Sequence, residues 1–259
     1  MTLKEGLQQE KELTKEMTKD MTKKEKLSYI WYYYKWFIIG AVCLIVFIAD
    51  LVIHYVTKKE EVMFAAMVNF SAIETEQKEF EKAFTDYIGL DTGKYSVDIR
   101  DDITVGLGMS LGTAYRGQDL LAAYIGGEQL DVMCTCDDVF FDYAYEDMFL
   151  ALSRYMSEEE IEKYSDRLYY VDAVVVEGYN EAIRNMDYEY SAKAPDPDKP
   201  EDMEEPVPVG IYVDDSYRLN THFKCENEEA EHYVVGVIAN SHRTDNAKKF
   251  IEFLAKTEE

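Results

Sequence analysis

Val62-Met-Phe-Ala-Ala-Met-Val68 carries no polar side chain. An unbroken apolar run of this length is the pattern of a strand buried on both faces. Downstream, Ser71-Ala-Ile-Glu74 has the spelling of a capping box, and Phe80, Ala83, Phe84, Tyr87 and Ile88 follow at helical spacing up to Gly89. Tyr95–Ile99 is a second predicted strand, and 103–113 is Gly-rich and irregular. A helix is expected from Ala114 to Ile125, stopped by Gly126-Gly127, with a third strand at Leu130–Cys134. Asp138–Tyr145 is predicted helical, and Ser157-Glu-Glu-Glu160 is a second capping box. Leu168–Val176 stays ambiguous between strand and helix, and Pro195 to Pro206 forms an acidic, proline-punctuated loop. Val207–Val213 and Tyr233–Ile238 are expected strands. The last helix places Ala247, Phe250, Ile251 and Leu254 at i, i+3, i+4 and i+7. Strands alternating with helices predict an α/β fold over 60–259, one domain with a mixed sheet covered by helices.

Upstream of that domain, Trp36 to Val56 reads WFIIGAVCLIVFIADLVIHYV. At about 1.5 Å per residue it spans roughly 30 Å, the thickness of a bilayer core. The aromatic run Tyr29-Ile-Trp-Tyr-Tyr-Tyr-Lys-Trp36 precedes it as an interfacial belt. No small-x-small site follows and the charged lead is long, so a single uncleaved anchor is expected. Lys23, Lys24, Lys26 and Lys35 lie before the span, against Lys58 and Lys59 after it. The positive-inside rule then puts the N-terminus in the cytoplasm and the bulk of the chain outside. The expected division is a charged cytoplasmic tail at 1–26, the belt and transmembrane helix at 27–56, and an extracellular acidic domain at 60–259. The tail repeats Met-Thr-Lys at 17–19 and 21–23, leaving Met1 and Met21 both open as the start.

Charge follows the same division. Residues 1–59 hold ten lysines and seven acids, a balance of +3, and 60–259 hold 17 bases and 45 acids, a balance of −28. A domain this acidic lacks the basic face that nucleic acid requires. The bilayer is the partner implied by the anchor. Asp50 and His54, four apart inside the span, share one helical face; they either snorkel to the outer headgroups or contact another membrane protein.

Ligands of open α/β sheets bind beyond the carboxyl ends of strands. The residues expected there are Asn69, Phe70, Asp101, Asp102, Thr135, Asp137, Asp138, Asp214 and Asp215. Acids and aromatics converging there suit a small polar or cationic ligand, or Ca²⁺ through oxygen ligands, while the same residue types also cap helices and turns. Cys134 and Cys136 form only a C-x-C, with thiols expected to point the same way from a strand. Free thiols are the first reading of these and Cys225, with a 134–225 or 136–225 disulfide the alternative. No metal and no cofactor is expected. Gly106-Leu-Gly-Met-Ser-Leu-Gly112 misses the dinucleotide and phosphate-loop spellings, and His222, His232 and His242 stand apart from any catalytic motif. The chain is therefore not expected to be an enzyme.

Two stretches carry a family likeness. Gly127-Glu-Gln-Leu-Asp-Val-Met, Cys136-Asp-Asp-Val-Phe-Phe and Phe149-Leu-Ala-Leu-Ser-Arg-Tyr, with Val235-Gly-Val-Ile-Ala-Asn-Ser-His-Arg-Thr-Asp-Asn-Ala-Lys-Lys-Phe-Ile-Glu-Phe-Leu254, resemble extracellular solute-binding proteins of bacterial ABC importers. The resemblance covers about 120–165 and 233–256 and implies a Gram-positive cell membrane. That family has two lobes; here the segment 177–206 is too short for a second one, and the lipoprotein cysteine is replaced by the apolar helix. The resemblance thus implies a reduced, single-lobe, membrane-anchored relative of periplasmic-binding-protein-like fold. Two functions follow as expectations: a non-catalytic surface binding or sensory module, or a cell-envelope interaction or assembly protein that has lost its ligand.

Overall fold

The computed structural model describes residues 8, 15, 19, 21–73, 76–106, 111–187, 190 and 193–257, with only the backbone at 30, 33, 53, 54, 56, 57 and 111–115. The chain divides into two compact units, Met1–Lys58 and Lys59–Glu259.

The first unit is built on one long helix, α1 (Lys23–Thr57). Thr22 caps it reciprocally: its hydroxyl accepts from the Glu25 amide, and Glu25 Oε2 accepts from the Thr22 amide at 2.8 Å. Within α1, Tyr34–Val52 is long and apolar enough to cross a membrane, and none of it is buried in the protein. A signal sequence and an anchor both fit such a segment. Asp50 is exposed on the helix surface, while the side chain of His54 lies outside the described residues.

The second unit is a three-layer α/β/α arrangement around a mixed sheet. Its strands are β1 (Glu60–Met67), β3 (Tyr95–Arg100), β4 (Val132–Cys136), β5 (Leu168–Asp172), β6 (Pro206–Tyr212) and β8 (Tyr233–Val237), in the order β3-β1-β4-β8-β6-β5. β1 pairs parallel with β3 and β4; β8, β6 and β5 add antiparallel. A small antiparallel pair, β2 (Phe70–Ala72) with β7 (Phe223–Cys225), lies apart. Ser71 of the expected capping box pairs with Lys224 in this ribbon, and its partner Glu74 lies outside the described residues.

Alternation along β1 explains its apolar run. Met63, Ala65 and Met67 enter one core with Phe80 and Phe84 of α2 (Glu76–Tyr87), Leu219 of α7 (Tyr217–His222), and Phe250 and Leu254 of α8 (Thr244–Leu254). Phe64, Ala66 and Val68 enter the opposite core. There they meet Leu121 of α3 (Leu111–Gly126), Phe140 and Ala144 of α4 (Asp137–Tyr145), and Val176 of α6 (Ala173–Arg184). Both faces are covered, as a two-sided apolar strand demands.

The short helix α5 (Glu158–Glu162) opens on the expected second capping box, with Ser157 N donating to Glu160 Oε2 at 2.8 Å. Lys248 of α8 also donates to Glu160, at 2.7 Å. The Lys248 bond and then the Ser157 amide lower the Glu160 pKa from 4.5 to about 2. A depressed carboxylate stabilises the fold above its unfolded value and loses that contribution as pH falls. Stability should therefore drop between about pH 4.5 and about 2, and Glu160→Gln should flatten that part of the curve. Denaturant titrations across this window check it; an unchanged slope in the variant refutes it.

Candidate functional site

Between β1 and β4 the connections diverge. β1 leads to α2 on one face of the sheet and β4 runs into α4 on the other, so their carboxyl ends border a crevice at a topological switch point. Asn69 sits there, fully buried in the left-handed region at φ 63°. Asn and Asp tolerate this conformation because short polar side chains bond locally. Its Oδ1 accepts from Val105 N at 2.7 Å and its Nδ2 donates to Val105 O at 2.8 Å, pinning the 103–105 segment onto the strand end. Nδ2 also reaches Cys136 Sγ at 3.6 Å.

The other predicted residues separate into four groups. Phe70 and Thr135 are buried; Phe70 packs edge-on to Tyr233 at 5.2 Å, and Thr135 pairs with Val234. Asp101 accepts from Ala72 N at 2.8 Å and Asp102 faces Arg100 at 3.3 Å, so both serve the β2 and β3 ends. Asp215 is exposed on the turn into α7. Of the remaining three, Asp214 lines one cleft and Asp138 a second, while Asp137, in the first turn of α4, lines neither and acts by its charge on His232.

The smaller cleft, about 520 Å³, lies at the ends of β5, β6 and β8. Tyr170 and Tyr212 wall it, carboxylates come from Asp166, Asp198, Glu201 and Asp214, and His232 stands at one side. A β-bulge between Tyr169 and Tyr170 releases the Tyr170 amide, which donates to Pro197 O at 3.2 Å and draws the acidic loop over the sheet edge. Burial first, and then Asp198 on that loop, hold the Tyr212 phenol protonated far above its ordinary range. Asp214 accepts from Tyr233 N at 2.6 Å and meets His232 Nδ1 at 3.0 Å. The Asp214 bond raises the His232 pKa above 6.5 against partial burial, with Asp137 and Asp198 adding to the effect. Burial is also the leading cause of a raised Asp137 pKa. The cleft thus has two aromatic faces, excess negative charge and one titratable cation.

The larger cleft, about 1170 Å³, runs from Val105 and Gly106 past Asp138 to Tyr143, Met148 and Ile183. Asp138 is occupied there: Oδ1 accepts from Val139 N at 2.8 Å and Oδ2 from Asn227 Nδ2 at 3.4 Å. Asp142 and Glu146 line the same space, both raised in pKa by burial and then by a neighbouring carboxylate. Residues 107–110 of the predicted Gly-rich turn lie outside the described residues. No three His, Cys, Asp or Glu side chains among the described residues are grouped to hold a metal ion.

Sequence reasoning missed Tyr170, Tyr212, Asp198 and His232. Asp198 was legible only as part of an acidic loop, and Tyr170 fell in the stretch with no readable period. The directions of the Cys134 and Cys136 thiols also differ from expectation. Strand β4 starts at Val132 rather than Leu130 and ends at Cys136, which is the N-cap of α4. Cys134 therefore packs into one core and Cys136 into the other, and all four cysteines are free.

No protein-family model matches this chain, and no curated protein matches it. Among solved structures, a substrate binding domain assigned to a molybdenum ABC transporter from Clostridium difficile is weakly similar, with a TM-score of 0.30 and 14% identity over 76% of this chain and 93% of that one.

Proposed function

We propose that the 59–259 unit is a non-catalytic binding module for a small organic cation, held at the outer face of a cell membrane by α1 with the N-terminus in the cytoplasm. The observation that carries the reading is the smaller cleft, where Tyr170 and Tyr212 face a set of carboxylates that includes Asp198 and Asp214. Aromatic faces attract an ammonium through the ring quadrupole, and carboxylates in a concave site hold it by charge-assisted hydrogen bonds. Its volume of about 520 Å³ suits a metabolite-sized ligand. The balance of −28 over 60–259 would steer such a cation toward the domain.

The test is a thermal-shift screen of the full-length chain in detergent against polyamines, basic amino acids, neutral sugars and Ca²⁺. An organic amine at a hundred times its dissociation constant should add about 2.7 kcal/mol, or roughly 5–10 °C for a domain of this size. Asp198→Asn with Asp214→Asn should abolish the shift. Affinity should also rise as pH climbs through the raised His232 pKa, because the imidazolium that competes for Asp214 is then lost. A folded chain that responds only to neutral sugars or Ca²⁺ refutes the cation site. A chain that responds to nothing favours an envelope assembly protein whose contacts run through α1 and Asp50.

A further inference from the structure

At the switch point the buried Asn69 is a hub between two cysteines that lie far apart in the chain. Its Nδ2 donates to Cys136 Sγ at 3.6 Å, and its carbonyl accepts from Glu226 N at 2.8 Å, the residue after Cys225. Cys225 ends β7 opposite Phe70, the residue after Asn69. Two further polar groups face the Cys136 sulfur: Asn227 Nδ2 at 3.9 Å and Thr135 Oγ1 at 3.8 Å. The Cys136 and Cys225 thiols are near enough to shift each other's ionisation. Cys136 is fully buried, whereas Cys225 is half-buried and offers the approach from solvent. Cys134 is buried in the opposite core from Cys136.

The geometry points to a dithiol site: Cys136 and Cys225 are a redox pair that closes to a disulfide on meeting a low-molecular-weight disulfide. This is independent of the cation cleft. Starting from a Cys136 thiolate beside the Cys225 thiol, Cys225 passes its proton to the Cys136 sulfur and attacks the small disulfide, RSSR, forming Cys225–S–SR and releasing RS⁻. That thiolate takes the proton from Cys136, whose sulfur then attacks the Cys225 sulfur and expels a second RS⁻, which is protonated by solvent. One cysteine thiol and one thiolate are oxidised to a disulfide and one RSSR is reduced to two RSH, one proton coming from the pair and one from solvent, so electrons and protons balance. Sharing a proton favours the exchange. The neighbouring Cys225 thiol lowers the Cys136 pKa below the ordinary thiol value, opposed by burial and Asp138 and aided by Asn69. The Cys136 sulfur, and then burial, raise Cys225. Cys134 is held as an inert thiol by burial.

Closure would join the end of β4 to the end of β7 across a loop long enough for a large effect on the unfolded chain. The experiment treats the full-length Cys43→Ser chain in detergent with oxidised glutathione, then counts thiols and maps the peptides. Two of the three remaining thiols should be lost, in a Cys136–Cys225 link that a reductant reverses, with a melting temperature higher by roughly 5 °C or more. Cys136→Ser should instead accumulate glutathione on Cys225, and Cys225→Ser should leave Cys136 unreacted. An unchanged thiol count, a wild-type chain halted at the mixed disulfide, or a link through Cys134 overturns the assignment.

Discussion

Replacing Asp131 by Ala is expected to destabilise the sheet domain by about 3–5 kcal/mol, the range for breaking a buried charged pair. Asp131 precedes β4 with only 1% of its surface exposed. One oxygen accepts from Phe64 N in β1 at 2.8 Å; the other accepts from Ser241 Oγ at 2.7 Å and Arg243 Nε at 3.1 Å. Arg243 continues outward to Glu61 O at 3.0 Å and to the Gln129 carbonyl. A single carboxylate thus ties β1, the approach to β4 and the turn into α8. Its loss strands a buried amide and a hydroxyl and takes one of several partners from the Arg243 guanidinium, and each unmet donor costs about 1–3 kcal/mol. Arg243→Met should cost a similar amount by leaving Asp131 charged and underpaired. The double variant should cost clearly less than the sum, because neither partner is then left alone. Urea titrations of the four proteins decide it. A loss below about 1 kcal/mol for Asp131→Ala, or strict additivity, refutes the network as described.

The same aspartate shows where reading the sequence runs out. The apolar run at 62–68 was legible as a two-sided buried strand because burial on both faces leaves no polar position, and the 3.6-residue period of α8 was equally plain. Leu130–Cys134 looked like a strand from composition, but Asp131 turns its carboxylate to the Phe64 amide and ladder pairing begins at Val132. Leu168–Val176 showed no period because it holds two elements. β5 ends at Asp172, whose side chain accepts from Val174 N at 3.1 Å and from Glu204 N at 2.9 Å, and α6 starts at once. The cleft was less legible than the strands. Asp214 could be named from its place after a strand, but Tyr170, Asp198 and His232 meet it only because the start of β5, the proline loop and the start of β8 lie together. A one-dimensional pattern marks strand ends as polar and is silent on which ends converge. The same holds for Asn69, placed at the crevice by sequence yet committed wholly to holding Val105 and Cys136.

Phe140→Ala should likewise destabilise by about 3–5 kcal/mol, through a cavity rather than a broken charge pair. Its ring is fully buried on α4, stacked on Phe149 at 4.1 Å and 12°, with Tyr169 edge-on at 4.9 Å. It reaches the sheet because two adjacent positions lack side chains. The β6–β8 register, Ile211 opposite Val235, sets Gly210 beside Gly236, and a Cβ on either would lie 2.7 Å or 2.9 Å from Phe140 Cζ. The glycines and the phenylalanine are therefore one packing unit, a large side chain from the helix filling what two small residues leave open. Gly236→Ala alone should cost about 1–3 kcal/mol, since the methyl group also meets Phe149 Cδ1 at 2.8 Å. In the Phe140→Leu background the same change should cost much less, because the shorter side chain leaves room for the added methyl. That sign of coupling separates packing from strand propensity: a glycine replaced for propensity alone would gain or lose equally in both backgrounds. Equal costs of Gly236→Ala with Phe140 and with Leu at position 140 would show that the ring does not rest on the glycines.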